Sequence, residues 1–182
     1  MCALASGDEL GVWGQSSMVS EKCSFRAEDK TPKSFDRVVH TKADSAFLLS
    51  RKLRPEGLQC LLFMSSVTAA FGNRGQADYA AANGIMNALA VLLTSQWPAR
   101  VVAMNWGPWG QSGMVSEEVR QQFLSRGIQM IPLEGGAEAA LREIEAGPAC
   151  DPVVALGEGP WQEVALPAGT PRVPAQVYGS LK

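Results

Sequence analysis

Apolar residues begin to recur at helical spacing at Thr31. Phe35, Val38, Val39, Ala46, Leu49 and Leu53 fall on one stripe, with Thr31 placed to cap a helix and Pro32 suited to its first position. Arg54-Pro55-Glu56-Gly57 interrupts that pattern. The run Leu58-Gln59-Cys60-Leu61-Leu62-Phe63-Met64 is almost wholly apolar, as expected of a central parallel strand covered on both faces. A long helix is predicted from Gln76 to Gln96, where Tyr79, Ala82, Met86, Leu89, Leu92 and Leu93 keep a 3.6-residue period, and Trp97-Pro98 stops it. Arg100 to Trp106 reads as the next strand, Glu117–Ser125 and Glu134–Ala146 as two further helices, and Pro152 to Leu156 as a last short strand. This alternation predicts an α/β fold around a parallel sheet.

The two ends are less regular. Residues 1–28 are small, polar and glycine-rich with no sustained period, and are left unassigned. After Trp161 a proline-punctuated stretch, 162–182, reads as a tail or linker. The legible unit is 29–161. Within the first segment, Gly11 to Glu21 matches Gly107 to Glu117 at nine of eleven positions, with nothing repeated between them. That pattern is not a solenoid and is read as a partial duplication or a rearranged gene.

Composition narrows the function. Of 182 residues, 46% are hydrophobic and 19% charged, enough to bury a sizeable core. A net charge of −2 speaks against nucleic acid or an anionic membrane as partner. Cys2, Cys23, Cys60 and Cys150 are scattered, and His40 is the single histidine, so no metal site is expected. The start lacks a basic and apolar leader and no run is long enough to span a membrane, so a soluble, cytoplasmic chain with reduced thiols is expected.

The densest chemistry lies between Ser65 and Asn83. Two serines end the apolar strand, and ligands of open α/β sheets bind beyond the carboxyl ends of strands. Tyr79 and Asn83, four apart, share one face of a helix. Lys42 falls on the apolar stripe of the first helix. Taken singly, each has an ordinary explanation: a lysine whose stem covers apolar surface, a serine capping a turn, a tyrosine with a wet hydroxyl.

Together they form a pattern. The order Lys42, Ser66, Tyr79, Asn83, with the phrases FMSSVTAAFGNRGQADYAAAN and VVAMNWGPWGQSGM, resembles the ketoreductase domain of modular type I polyketide synthases, a complex-type short-chain dehydrogenase/reductase. The resemblance covers Asp29 to Trp161, the C-terminal half of such a domain. It implies a Rossmann-like doubly wound sheet, NADPH as cofactor, and reduction of a β-ketoacyl thioester carried by an acyl carrier protein. It further implies that Tyr79 is the general acid, its phenol drawn down by Lys42, and that Lys42 also holds the cofactor ribose. Ser66 would donate a hydrogen bond to the substrate carbonyl, and Asn83 would support the lysine and a relay water. Gly107, Pro108 and Trp109 would lie against the nicotinamide, and Met114 to Gly127 would form a lid.

Two alternatives stand beside this reading. No G-x-G-x-x-G turn occurs in the sequence, so a truncated domain is expected, one lacking its phosphate-binding half. An apolar sheet edge left open by that loss would pair with the missing half or with a second copy. Such a chain could instead be a cofactor-less structural or interaction remnant of the fold. A short-chain reductase of a free small ketone is the other alternative. It fits less well, because ordinary members place the lysine four after the tyrosine, where Asn83 stands.

Overall fold

The computed structural model describes residues 2–5, 29–110, 117–147, 150–160 and 176–178. Five strands form one sheet in the order β1 (Cys2–Ala5), β2 (Leu58–Ser66), β3 (Arg100–Trp106), β4 (Val153–Leu156) and β5 (Gln176–Tyr178). β2, β3, β4 and β5 run parallel, and β1 pairs antiparallel with β2. The helices are α1 (Pro32–Val39), α2 (Ser45–Lys52), α3 (Thr68–Phe71), α4 (Ala77–Gln96), α5 (Glu117–Ser125) and α6 (Leu133–Ala146).

Local chemistry sets the boundaries. The Thr31 hydroxyl accepts the Ser34 amide at 3.2 Å, and Pro32 opens α1 where a missing N–H costs nothing. His40–Asp44 forms a π-helical turn that joins α1 to α2, and Lys42 lies within it. A π turn changes the phase of the apolar stripe. Val38 and Ala46 are buried, whereas Phe35, Phe47 and Leu48 are exposed. Helix α4 ends at Trp97, beside the Pro98 that stops it.

Helices cover both faces of the sheet, as a doubly wound fold requires. On one face Leu61, Phe63, Val101 and Ala103 pack against Ala46 and against Met86, Ala90 and Leu93 of α4. On the other, Leu62, Val102, Met104, Val154 and Leu156 pack against Ala139, Ala140 and Ile144 of α6. Burial on both faces is why β2 and β3 lack polar alternation. Arg100, at the start of β3, forms an ion pair with the fully buried Glu143 and latches α6 to the sheet.

Two findings differ from expectation. The edge of β2 predicted to be open is paired: Cys2–Ala5 lies along Leu58–Leu62 and supplies hydrogen bonds that an unpaired strand would lack. Gln176–Tyr178, within the stretch read as tail or linker, adds a parallel strand beside Val154–Leu156. Neither segment carries the periodicity that would mark it, because strands this short show too few positions for a pattern. The Gly11–Glu21 copy of the repeat lies outside the described residues. Among the described residues no helix is long and apolar enough to cross a membrane, and no cluster of metal-ligating side chains occurs.

Candidate active site

The carboxyl ends of β2 and β3 lie side by side, with Ser65 opposite Asn105 and Ser66 opposite Trp106. Side chains alternate across a strand, so the two serines diverge. Ser65, on the α4 face, donates to the Asn87 amide oxygen at 2.8 Å and to the Asn83 carbonyl at 3.3 Å, tying the strand end to the helix. Ser66 takes another set of partners. Its hydroxyl oxygen accepts the Thr68 amide at 3.2 Å and the Thr68 hydroxyl at 3.0 Å.

Helix α4 brings Tyr79 and Asn83 to the same place. Asn83 is fully buried, and its side-chain amide donates to the Tyr79 carbonyl at 2.7 Å. Its Oδ1 has no hydrogen-bond partner among the described residues. A buried amide oxygen in that state is costly unless something else reaches it. The Lys42 ammonium lies 5.4 Å from the centre of the Tyr79 ring, and its contact with the Met64 carbonyl is a long 3.5 Å. Lys42, Ser66, Tyr79 and Asn83 therefore come together from the π turn, the end of β2 and the first turns of α4.

The electrostatics depart from expectation in one respect. Burial pushes the Tyr79 phenol above its ordinary 10, and Asn83 and Ser66, hydrogen-bonding near it, draw it only partly back. Burial also pushes Lys42 below its usual value. The predicted depression of the phenol by Lys42 is thus not the direction found. The ammonium lies over the ring, and loss of water around the phenol outweighs the opposing contributions of Asn83 and Ser66.

Gly107, Pro108 and Trp109 form the loop after β3, and it is held on two sides. The Gly107 amide donates to Leu156 O at 2.8 Å, the Ile131 amide to Pro108 O at 2.8 Å, and the Gly110 amide to Ile131 O at 2.9 Å. Trp109 stacks at a tilt on Trp106, centroids 4.8 Å apart, and its ring fills the space over Gly136 of α6. A Cβ at Gly136 would clash with the Cη2–Cζ3 edge of that ring. Of the expected lid, residues 114–116 lie outside the described residues and Glu117–Ser125 is helical. His40 is exposed and paired with Asp44, as a solvated histidine should be.

Sequence reasoning missed Thr68, Asp78 and Lys30. Asp78 is 1% exposed, binds Lys30 at 2.9 Å, and accepts the Tyr79 amide at 2.8 Å. An acid in a first helical turn is a common signal for a helix start and points to nothing more specific. Thr68, two residues after Ser66, matches a local hydroxyl-turn spacing. Lys30 carried no signal.

Comparison with known proteins gives consistent relatives. The sequence model of the KR domain family matches residues 11–111, more than half of the chain. A polyunsaturated fatty acid synthase of Thraustochytrium sp. is 36% identical over 115 residues, 63% of this chain and 4% of that protein. Polyketide synthase ThaG of Burkholderia thailandensis is 35% identical over 122 residues, 66% of this chain and 2% of that protein. The solved ketoreductase from the first module of phoslactomycin biosynthesis in Streptomyces sp. HK803 superposes with a TM-score of 0.65 at 30% identity, over 71% of this chain and 30% of that one. A small-chain dehydrogenase solved in complex with NADPH shares the fold at 18% identity, with a TM-score of 0.66 over 80% of this chain and 72% of that chain. The chain thus spans a few per cent of the two synthases and under a third of the solved ketoreductase.

Proposed function

This chain belongs to the KR domain family, the ketoreductases of polyketide synthases, and from that premise we propose that it carries the proton-donating half of an NADPH-dependent reduction of a β-ketoacyl thioester held on an acyl carrier protein. The observation that supports this reading best is the convergence of Lys42, Ser66, Tyr79 and Asn83 from three separate elements at one strand end.

The residues fit one end of the cofactor. Lys42 is half-buried and its hydrogen-bond contact with Met64 is long, and the Asn83 oxygen lacks a partner among the described residues, so both have capacity for ribose hydroxyls or an ordered water. The loop Gly107, Pro108 and Trp109 follows β3, whose end pairs with the Ser66 end of β2, and offers a backbone wall there. The 182 residues contain no G-x-G-x-x-G motif of the kind that cradles a pyrophosphate. When bound, the nicotinamide supplies the hydride that reaches the carbonyl carbon.

The chain's own groups act on the oxygen. Ser66 receives two hydrogen bonds from Thr68, and its own proton, which serves the Tyr79 phenol when no substrate is bound, can be given to a substrate carbonyl. Tyr79 remains protonated at neutral pH because burial disfavours its anion, so a proton is available when negative charge develops on that oxygen. Lys42, facing the ring, stabilises the phenolate that forms as the proton leaves. The carbonyl becomes a hydroxyl, with hydrogen gained at carbon and at oxygen.

Two measurements on the 182-residue chain test this. Saturable quenching or enhancement of NADPH fluorescence is expected on titration, as is consumption of NADPH with a β-ketoacyl thioester. Tyr79→Phe should lower turnover by about a hundredfold or more without altering the circular dichroism. Retained turnover in that variant would overturn Tyr79 as the acid.

A further inference from the structure

Lys30 and Asp78 meet at 2.9 Å with 5% and 2% of their side chains exposed. The pair is among the best-shielded charge pairs described, and none of the proposed chemistry uses it. Its place is informative. Asp78 spreads its carboxylate over two tasks: Oδ1 accepts the Tyr79 backbone amide at 2.8 Å, and Oδ2 accepts the Lys30 ammonium. Gln76, at the start of α4, provides no side-chain cap, so Asp78 meets an outward-pointing amide at a helix end that favours negative charge.

Lys30 directly precedes the capping Thr31, and α1 leads without interruption into the π turn that bears Lys42. Helices α1 and α4 pack together. The ion pair thus joins the beginnings of the two segments that carry Lys42 and Tyr79. Taking two charges out of water roughly cancels their attraction, so such a pair contributes little net stability, and what it contributes is geometry.

We propose that Lys30 and Asp78 are positioning residues that hold the first turn of α4 against the start of α1, and so keep the Tyr79 phenol at Ser66 and Asn83 and beneath Lys42. The inference rests on the reading of Tyr79 as proton donor. It adds a mechanical origin for the donor's placement.

The chain has two tyrosines, so Tyr178→Phe leaves Tyr79 alone, and ¹³Cζ-labelled tyrosine then gives one NMR signal from the full 182-residue chain. In that background the probe compares Lys30→Met, Asp78→Asn, Lys30→Arg and the doubly neutral Lys30→Met/Asp78→Asn. If the pair positions the ring, both single neutral variants release the phenol toward water. Both then move its titration midpoint down, toward the ordinary value of about 10, and both shift the neutral-pH signal. Lys30→Arg, which keeps the pair, should retain the parent signal. The double variant, with no unpaired buried charge to unfold it, should also move downward.

Midpoints that move in opposite directions in the two single variants would mean that the pair acts through its charges, and would overturn the proposal. An unmoved signal with only a lower melting temperature would mean a structural role, and would overturn it equally. Turnover retained by Tyr79→Phe would instead defeat the donor reading while leaving these signals as they are, so the two failures are distinguishable.

Discussion

Thr68 donates both its backbone amide and its hydroxyl to the Ser66 hydroxyl oxygen, at 3.2 and 3.0 Å. With two donors on its oxygen, Ser66 keeps its own proton to give, and hydrogen bonding from Ser66 draws the Tyr79 phenol partly down, so the serine and the phenol meet at one place. Thr68→Val removes one donor and keeps the shape. A hydrogen bond of this kind contributes about 1 kcal/mol, so kcat should fall about fivefold with KM for the thioester nearly unchanged. Steady-state kinetics of the variant check this.

Lys42 should be destabilising where it stands. Burial lowers its pKa, so the folded state holds the charged form poorly, and that penalty is fully present below the folded pKa and relieved as pH rises toward the unfolded value. Lys42→Met should raise the melting temperature at pH 7, by about 2–4 °C for each kcal/mol regained, and should abolish reductase turnover. Thermal melts and a thioester assay on one preparation check both.

Tyr79 has the opposite linkage. Its folded pKa is raised, so the fold favours the protonated phenol, and that contribution is present below about 10 and lost as pH rises through the folded value. Tyr79→Phe should flatten the alkaline fall in stability above that pH. Melts from about pH 7 to 11.5 on both proteins measure the difference.

Gly136 lies under the Trp109 ring, with no room for a side chain. Gly136→Val should push Trp109 off Trp106 and with it the loop at Gly107. Overpacking of this kind costs about 1–3 kcal/mol. The expected signs are a lower melting temperature, a changed near-ultraviolet circular dichroism from the tryptophan pair, and weaker NADPH binding.

Cys60 is buried in the sheet, and burial pushes its thiol up to about 11. Cys150 is exposed. Iodoacetamide at about pH 8 should therefore modify Cys150 well before Cys60, as peptide mass spectrometry of a time course would show.

Long periodic elements were legible from the sequence because many residues report on each. The helix of Tyr79 was expected from Gln76 to Gln96 and runs from Ala77 to Gln96; the strand of Ser66 was expected as an apolar run and is buried on both faces. Spacing along a helix also determined that Tyr79 and Asn83 share a face, and the Asn83 amide does bond the Tyr79 carbonyl. The four-residue pattern needed no coordinates to be seen.

What only the tertiary structure decided depends on partners distant in the sequence. Cys2–Ala5, which pairs with β2, carries no periodic signal of its own, and Lys30 meets Asp78 across 48 residues of sequence, since hydrogen bonds to a sheet edge and ion pairs are made across space. The direction of the Tyr79 shift is of the same kind. Sequence supplies the lysine, but the balance between desolvation and hydrogen bonding is set by how deeply the phenol is enclosed and by which groups reach it, and packing alone determines both.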